Sequence, residues 1–278
     1  MSAASVFRNV ASLARSSVSP MAMSIPDGLI GEFERVDSDV GPLWFPTSDD
    51  VMRPIIAKTG TWEKEEGDLL RSLARPGVRF LDIGANVGYF TLMMAMEQPG
   101  AVLASVEPHP VTVQLLRMNL WEGGVASQVF PVALTAGDRS VVLETPARNL
   151  GDTRSGVPQL GQRASMVSAG ISADALFGSQ SFDLVKLDVQ GFEPDVLQGM
   201  QGIIARSPGL VVVSEFWPGV LRSSGRNPLQ VLESYQRMGF DIVAQIGSRL
   251  DRLSFEEIVL TAEGAGPDGA LNLVLRRS

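Results

Sequence analysis

The chain alternates short apolar runs with stretches in which apolar residues return every three or four positions. The runs read as strands: Leu43 to Phe45, Val78 to Ile83, Ala101 to Val106, Gln128 to Leu134, Val141 to Leu143, Asp183 to Val189, Leu210 to Glu215, Phe240 to Ala244, Ile258 to Leu260 and Leu271 to Leu275. The periodic stretches read as helices. Val51 to Ile56 opens one, and Thr61 to Ala74 holds another with Trp62, Leu69, Leu70 and Leu73 on one face. A third carries Tyr89, Phe90, Leu92, Met93 and Met96. Pro110 opens a fourth with Val113, Leu116, Leu120 and Trp121 inward, and Pro194 a fifth with Val196, Leu197 and Met200 inward. Asn227-Pro228 starts a sixth with Val231, Leu232, Tyr235 and Met238 inward, which Gly239 ends. Strands alternating with helices predict an α/β domain built on a mostly parallel sheet.

Two stretches lack such periodicity. Residues 1 to about 26 hold Arg8, Arg15, several serines and no acid before Asp27, faintly like a transit peptide. They read as an N-terminal arm, helical around Val6 to Leu13. Residues 145 to 170 are rich in Gly, Ser, Arg, Pro and Gln, as in a binding loop at a strand's end or a mobile surface loop. Asn149, Asp152 and Arg154 are its candidate substrate contacts. We place the arm and lead-in at residues 1–50 and the main domain at residues 51–278.

Composition narrows the chemistry. The 278 residues are 45% hydrophobic and 19% charged, which is globular rather than disordered. The net charge of −8 disfavours a nucleic acid or an anionic membrane as partner. No cysteine is present, so disulfides, thiolate nucleophiles and thiolate-bound zinc are excluded. The single histidine, His109, limits the choice of general base. No apolar run has the length of a membrane span, and a cytoplasmic location is expected.

The chemistry concentrates at Asp82-Ile83-Gly84-Ala85-Asn86-Val87-Gly88, where a buried strand turns into a helix. A ligand is expected in such a crevice. The dinucleotide fingerprint is G-x-G-x-x-G, whereas the spacing here is D-x-G-x-x-x-G. Asp82 would repel a pyrophosphate and suits a ligand with a cationic amine, such as the methionine end of S-adenosylmethionine. Glu107 lies about 20 residues on, at the end of the second strand, placed to accept both ribose hydroxyls; it also fits a helix-start carboxylate. His109 reads as packing near the adenosine. Asp188 ends a strand beside the turn, where it is a candidate cofactor contact, Glu215 holds the equivalent position on the next strand, and Trp217 follows. Asn119 has no role derivable from sequence.

Together these motifs resemble the FkbM family of S-adenosylmethionine-dependent methyltransferases. The matching pieces are Gly60-Thr61-Trp62-Glu63, Leu81 through Thr91, Val106-Glu107-Pro108-His109-Pro110 with Asn119, Val185 through Glu193, Glu215-Phe216-Trp217-Pro218, and Gly225-Arg226-Asn227-Pro228. The resemblance implies a Rossmann-like class I methyltransferase: a seven-stranded, mostly parallel sheet with helices on both faces and one antiparallel strand near the end. It implies O-methylation of a hydroxyl on a sugar, glycolipid or natural-product small molecule. It places S-adenosylmethionine on Asp82, Gly84, Asn86, Gly88 and Glu107, and makes the segment from Lys186 to Glu193 a catalytic wall.

An alcohol acceptor needs a base or a metal that lowers its pKa. Asp188, Glu193 and Glu215 are the candidate bases. Asp188 is the expected one, with Glu215 and Trp217 lining the acceptor pocket. The alternative is Mg²⁺ held by Asp188 and Glu215, as in catechol O-methyltransferase-like enzymes. Two other readings stay open: a non-catalytic protein on the same fold, and a nicotinamide-dependent oxidoreductase, against which the glycine spacing and Asp82 argue. A homo-oligomer built on the N-terminal arm is also open.

Overall fold

The computed structural model describes residues 32–144, 154–156, 166–265 and 269–277. The N-terminal arm and the candidate contacts Asn149 and Asp152 lie outside the described residues, as does the side chain of Arg154.

The described chain opens with an antiparallel hairpin, β1 (Phe33–Ser38) and β2 (Gly41–Pro46). The helices α1 (Met52–Thr59) and α2 (Lys64–Leu73) follow. Next come β3 (Arg79–Ile83), α3 (Tyr89–Glu97), β4 (Val102–Val106), α4 (Pro110–Glu122) and β5 (Gln128–Phe130). A small four-stranded sheet is then built from β6 (Ala133–Leu134), β7 (Arg139–Glu144), β8 (Arg154–Gly156) and β9 (Met166–Ile171). The helix α5 (Ala173–Phe177) leads back to β10 (Leu184–Leu187), α6 (Glu193–Gln198), α7 (Gln201–Arg206), β11 (Val211–Phe216) and α8 (Pro218–Ser223). The chain finishes through α9 (Pro228–Arg237), β12 (Phe240–Ile246), β13 (Arg249–Asp251), α10 (Phe255–Gly264) and β14 (Leu271–Arg277).

The main sheet has the order β13-β12-β14-β11-β10-β3-β4-β5. Its strands β5, β4, β3, β10 and β11 run parallel, and β14 lies antiparallel between β11 and β12. This is the expected Rossmann-like, mostly parallel sheet of seven strands with one antiparallel member, extended at its edge by the short β13 hairpin arm. Helices cover both faces. On one, Leu81, Ile83, Val185, Leu187, Val212 and Phe216 pack with Leu197, Leu232 and Ile258. On the other, Phe80, Leu184, Val213 and Val274 pack with Leu70, Leu92, Met93 and Leu116. Among the described residues no helix is long and apolar enough to cross a membrane.

Several expected elements are corrected. The β1 strand is absent from the apolar pattern because Glu34, Arg35 and Asp37 interrupt it. The second helix starts at Lys64, leaving Trp62 before it. Gln128 to Leu134 divides between the two sheets, as β5 and β6. Residues 166–170 are strand β9 rather than loop. Ile258 to Leu260 is helical: Ser254 and Glu257 form a capping box, and Phe255, Ile258, Val259 and Ala262 share the inner face. Trp121, expected inward, is 77% exposed near the C-terminus of α4.

Asn119 acquires a structural reason. Its Oδ1 accepts from the Trp44 backbone N–H at 2.8 Å, and its Nδ2 donates to the Val87 carbonyl at 2.8 Å. One buried amide thus ties the hairpin, α4 and the glycine turn together.

Candidate active site

Side chains alternate across a strand, so Phe80 and Asp82 share a face of β3, as do Leu184 and Lys186 of β10, and Val213 and Glu215 of β11. The register aligns Asp82 with Ser105 on one side and with Lys186 on the other. A polar row therefore crosses a face that is otherwise apolar, beneath α2 and α3. Asp82 is fully buried; its Oδ2 accepts from Thr91 Oγ1 at 2.7 Å, and its Oδ1 has no hydrogen-bond partner. Burial, partly offset by Lys186 and Thr91, pushes its carboxyl up to about 6. Asp82 is thus set under the turn rather than in the open crevice.

Lys186, 2% exposed, is the cation of this row. Its Nζ donates to Asp188 Oδ2 at 3.0 Å and stands 4.8 Å from the centroid of the Phe90 ring. Burial opposes its charge. Asp188, Glu66, Asp82 and Glu63, in that order, outweigh the burial and hold its pKa well above the usual lysine value. Glu66 is buried too, and burial raises its pKa well above the ordinary value. Glu66 is not singled out in the sequence analysis. The signal was present: Glu66 stands three and four residues before Leu69 and Leu70, on the buried face of α2.

The turn itself is held by close approach. Gly84 has φ +81°, and a Cβ there would sit 1.8 Å from the Asp188 carbonyl oxygen. The missing side chain thus admits the protein's own backbone at the end of β10. At Gly88 a Cβ would meet Leu116 Cδ1 at 2.6 Å. Asn86, between them, is left-handed at φ +49°. Glu107 stands across from the turn: its Oε2 accepts from the Asn86 N–H at 3.0 Å and its Oε1 from the His109 N–H at 2.8 Å. Burial raises the Glu107 carboxyl to about 7. His109 caps α4, with Thr112 Oγ1 3.1 Å from its Nδ1, and burial lowers its pKa to about 4, so it is neutral at pH 7.

A cavity of about 460 Å³ opens beside this turn, between the start of α2 and the ends of β10, β11 and β14. Glu63, Glu65, Glu66, Asp188 and Glu215 line it, with Lys64 and Asn272. Among the described residues, Asp188, Glu193 and Glu215 bring carboxylate oxygens within 4.8 Å of one another. Glu193 is buried and accepts from the Val189 and Gly191 N–H groups at 3.0 and 3.1 Å. Burial raises it to about 7, and raises Glu215 well above the ordinary carboxylate value, with Asp188, Glu193 and Glu63 adding to the shift. Trp217 is the half-buried N-cap residue of α8, one position past β11. Gln190, given no individual role within the Lys186-to-Glu193 segment, donates from Nε2 to Asp188 Oδ1 at 3.0 Å and to Glu215 Oε2 at 3.3 Å.

The glycine turn, Glu107, Lys186, Asp188 and Glu193 all fall within residues 82–242, more than half of the chain, which match the methyltransferase FkbM domain family. The 31-O-demethyl-FK506 methyltransferase FkbM of Streptomyces tacrolimicus is 28% identical over 158 residues, which is 46% of this chain and 61% of that protein. The match thus spans less than two thirds of that relative. Among solved structures, similarity extends to the O-methyltransferase TomG of Streptomyces achromogenes, involved in tomaymycin synthesis and solved with SAM (19% identity, TM-score 0.43, 83% of this chain and 88% of that one). It extends also to a SAM-dependent O-methyltransferase of Thermotoga maritima (13% identity, TM-score 0.47, 88% of this chain and 77% of that one). By the extent and position of the domain match, the chain belongs to the FkbM methyltransferase domain family.

Proposed function

We propose that this protein is an S-adenosylmethionine-dependent O-methyltransferase acting on a hydroxyl of a sugar, a glycolipid or a natural-product small molecule. One observation carries the reading: the Gly84–Gly88 turn and Glu107 stand at the carboxyl ends of β3 and β4, beside a cavity lined by Asp188 and Glu215. The donor set fits the cofactor. Each Glu107 oxygen takes one backbone hydrogen bond and keeps a lone pair for a ribose hydroxyl. The acid-lined cavity suits the cationic end.

Bound there, S-adenosylmethionine supplies an electrophilic methyl group on a cationic sulfur. The chain's own task is alignment and proton removal. Asp188 would take the acceptor hydroxyl's proton, directly or through water. Lys186 orients that carboxylate through a hydrogen bond from its ammonium, 3.0 Å away. Glu215 and Trp217 line the acceptor side.

Calorimetric titration with S-adenosylhomocysteine tests the cofactor assignment. Wild type is expected to bind at micromolar levels, and Glu107→Ala to weaken binding at least tenfold, about 1.4 kcal/mol. Because burial raises Glu107 to about 7, affinity should fall as the pH drops below 7 and the carboxylate is lost. Absence of binding to wild type would overturn the reading.

Asp188→Ala tests the base. Methyl transfer at saturating cofactor, followed as a one-methyl mass gain on the acceptor, is expected to drop at least a hundredfold. Survival within about tenfold, roughly 1.4 kcal/mol of barrier, would remove Asp188 from that role.

A further inference from the structure

We propose that Gln190 is a positioning residue of this cleft: its side-chain amide bridges Asp188 and Glu215 and, with the Lys186 ammonium, holds the two carboxylates in the arrangement that a bridging divalent cation would otherwise impose. The proposal rests on the methyltransferase reading for what the two acids do, and on geometry alone for what orders them.

The amide's direction follows from its neighbours. Asp188 Oδ1 and Glu215 Oε2 both lie within 3.3 Å of Gln190 Nε2. Both are acceptors, so the donor end of the amide must stand between them. Four of the six oxygens of Asp188, Glu193 and Glu215 are engaged from the protein side, Glu215 Oε2 by Gln190. Asp188 Oδ1 takes Gln190, Asp188 Oδ2 takes Lys186, and Glu193 Oε1 takes two backbone N–H groups. A divalent ion among these oxygens would displace the amide and stand close to a buried ammonium. The acid cluster thus fits its own donors better than it fits Mg²⁺.

The backbone is committed to the same end. Among the described residues the non-glycine residues with positive φ are Glu63, Asn86 and Gln190, and all three border the turn or the cleft. Gln190 has φ +54°, which disfavours any residue with a Cβ. The bonds that Glu193 accepts from Val189 and Gly191, one residue either side, hold the loop in that shape. Gly191 follows at φ +95°, where a Cβ would meet Val220 Cγ1 at 2.4 Å. A glycine would suit position 190 better by conformation alone; a glutamine there implies a task for its side chain.

Gln190→Gly separates the two contributions, because it relieves the dihedral and deletes the amide. The melting temperature is expected to hold or rise, while kcat falls at least tenfold and the KM for S-adenosylmethionine stays within threefold. Mn²⁺ electron paramagnetic resonance on wild type at 1 mM ion is expected to show no bound fraction that depends on Glu215. An unchanged kcat in the glycine variant would overturn the positioning role, as would a melting temperature several degrees lower, which would make the amide a stability device. Bound Mn²⁺ that disappears in Glu215→Gln would show that a cation orders the acids. If wild type transfers no methyl group, the methyltransferase reading fails. The melting and Mn²⁺ measurements then still decide what holds the two carboxylates.

Discussion

Gly84→Ala is expected to lose at least about 4 kcal/mol of folding stability, at the far end of what single substitutions do. The added Cβ would lie 1.8 Å from the Asp188 carbonyl oxygen, and that carbon–oxygen contact cannot be relieved by a rotamer. Either β3 and β10 part at their carboxyl ends or the turn rebuilds. Both outcomes also move Asp188, whose own N–H bonds the Ile83 carbonyl. Gly60→Ala supplies the contrast. Its φ of +77° is close to that of Gly84, but a Cβ there meets nothing within 4 Å. It should cost only the left-handed penalty, about 1–2 kcal/mol. Urea midpoints of the two variants at unchanged slope separate the dihedral from the clash. Equal losses would mean that Gly84 and Asp188 do not approach as described.

That pair also shows how far the sequence carries the reading. A glycine turn between strand and helix is legible from Gly84 and Gly88, because spacing and apolar periodicity are local signals. That Gly84 gives room to a backbone 104 positions away is set by strand order, which no local pattern encodes. The strand-end acids Glu107, Asp188 and Glu215 were legible because an acid ending a buried strand is conspicuous. Glu66 was not, since an acid on an amphipathic helix is ordinarily solvated; only its spacing from Leu69 and Leu70 gave it away. The individual role of Gln190, within a segment the resemblance marks, is not legible for a different reason. Nothing in a glutamine signals a left-handed φ, and its role comes from that φ and from two carboxylates at the ends of neighbouring strands. Trp121 misled because a large apolar residue at helical spacing is ordinarily core, while here α4 turns that face to solvent.

The polar row predicts the second large effect. Lys186→Met keeps the length of the side chain and removes the charge facing Asp82, Glu66 and Asp188. Removing one partner of a buried ionic group leaves the others uncompensated, at a cost of about 3–5 kcal/mol near pH 7.5. That cost should depend on pH in a definite direction. Burial already raises Asp82 to about 6 in the presence of Lys186, whose charge pulls it down; without that charge its pKa rises further. A carboxyl whose pKa is higher folded than unfolded binds protons more tightly in the folded state, so its contribution to stability declines as the pH rises through that interval. In the variant the decline is larger and extends to higher pH. Below about pH 4 Asp82 and Glu66 are mostly protonated in both proteins. The difference in urea midpoint between wild type and Lys186→Met is therefore expected to be wide at pH 8 and to narrow steadily towards pH 5. Asp82→Asn added to Lys186→Met should recover a large part of the loss at pH 8, because it removes the fully buried acid that the lysine compensates. A difference that stays constant from pH 5 to 8 would mean that Lys186 contributes packing on Phe90 rather than charge, and that Asp82 takes its compensation from Thr91 alone.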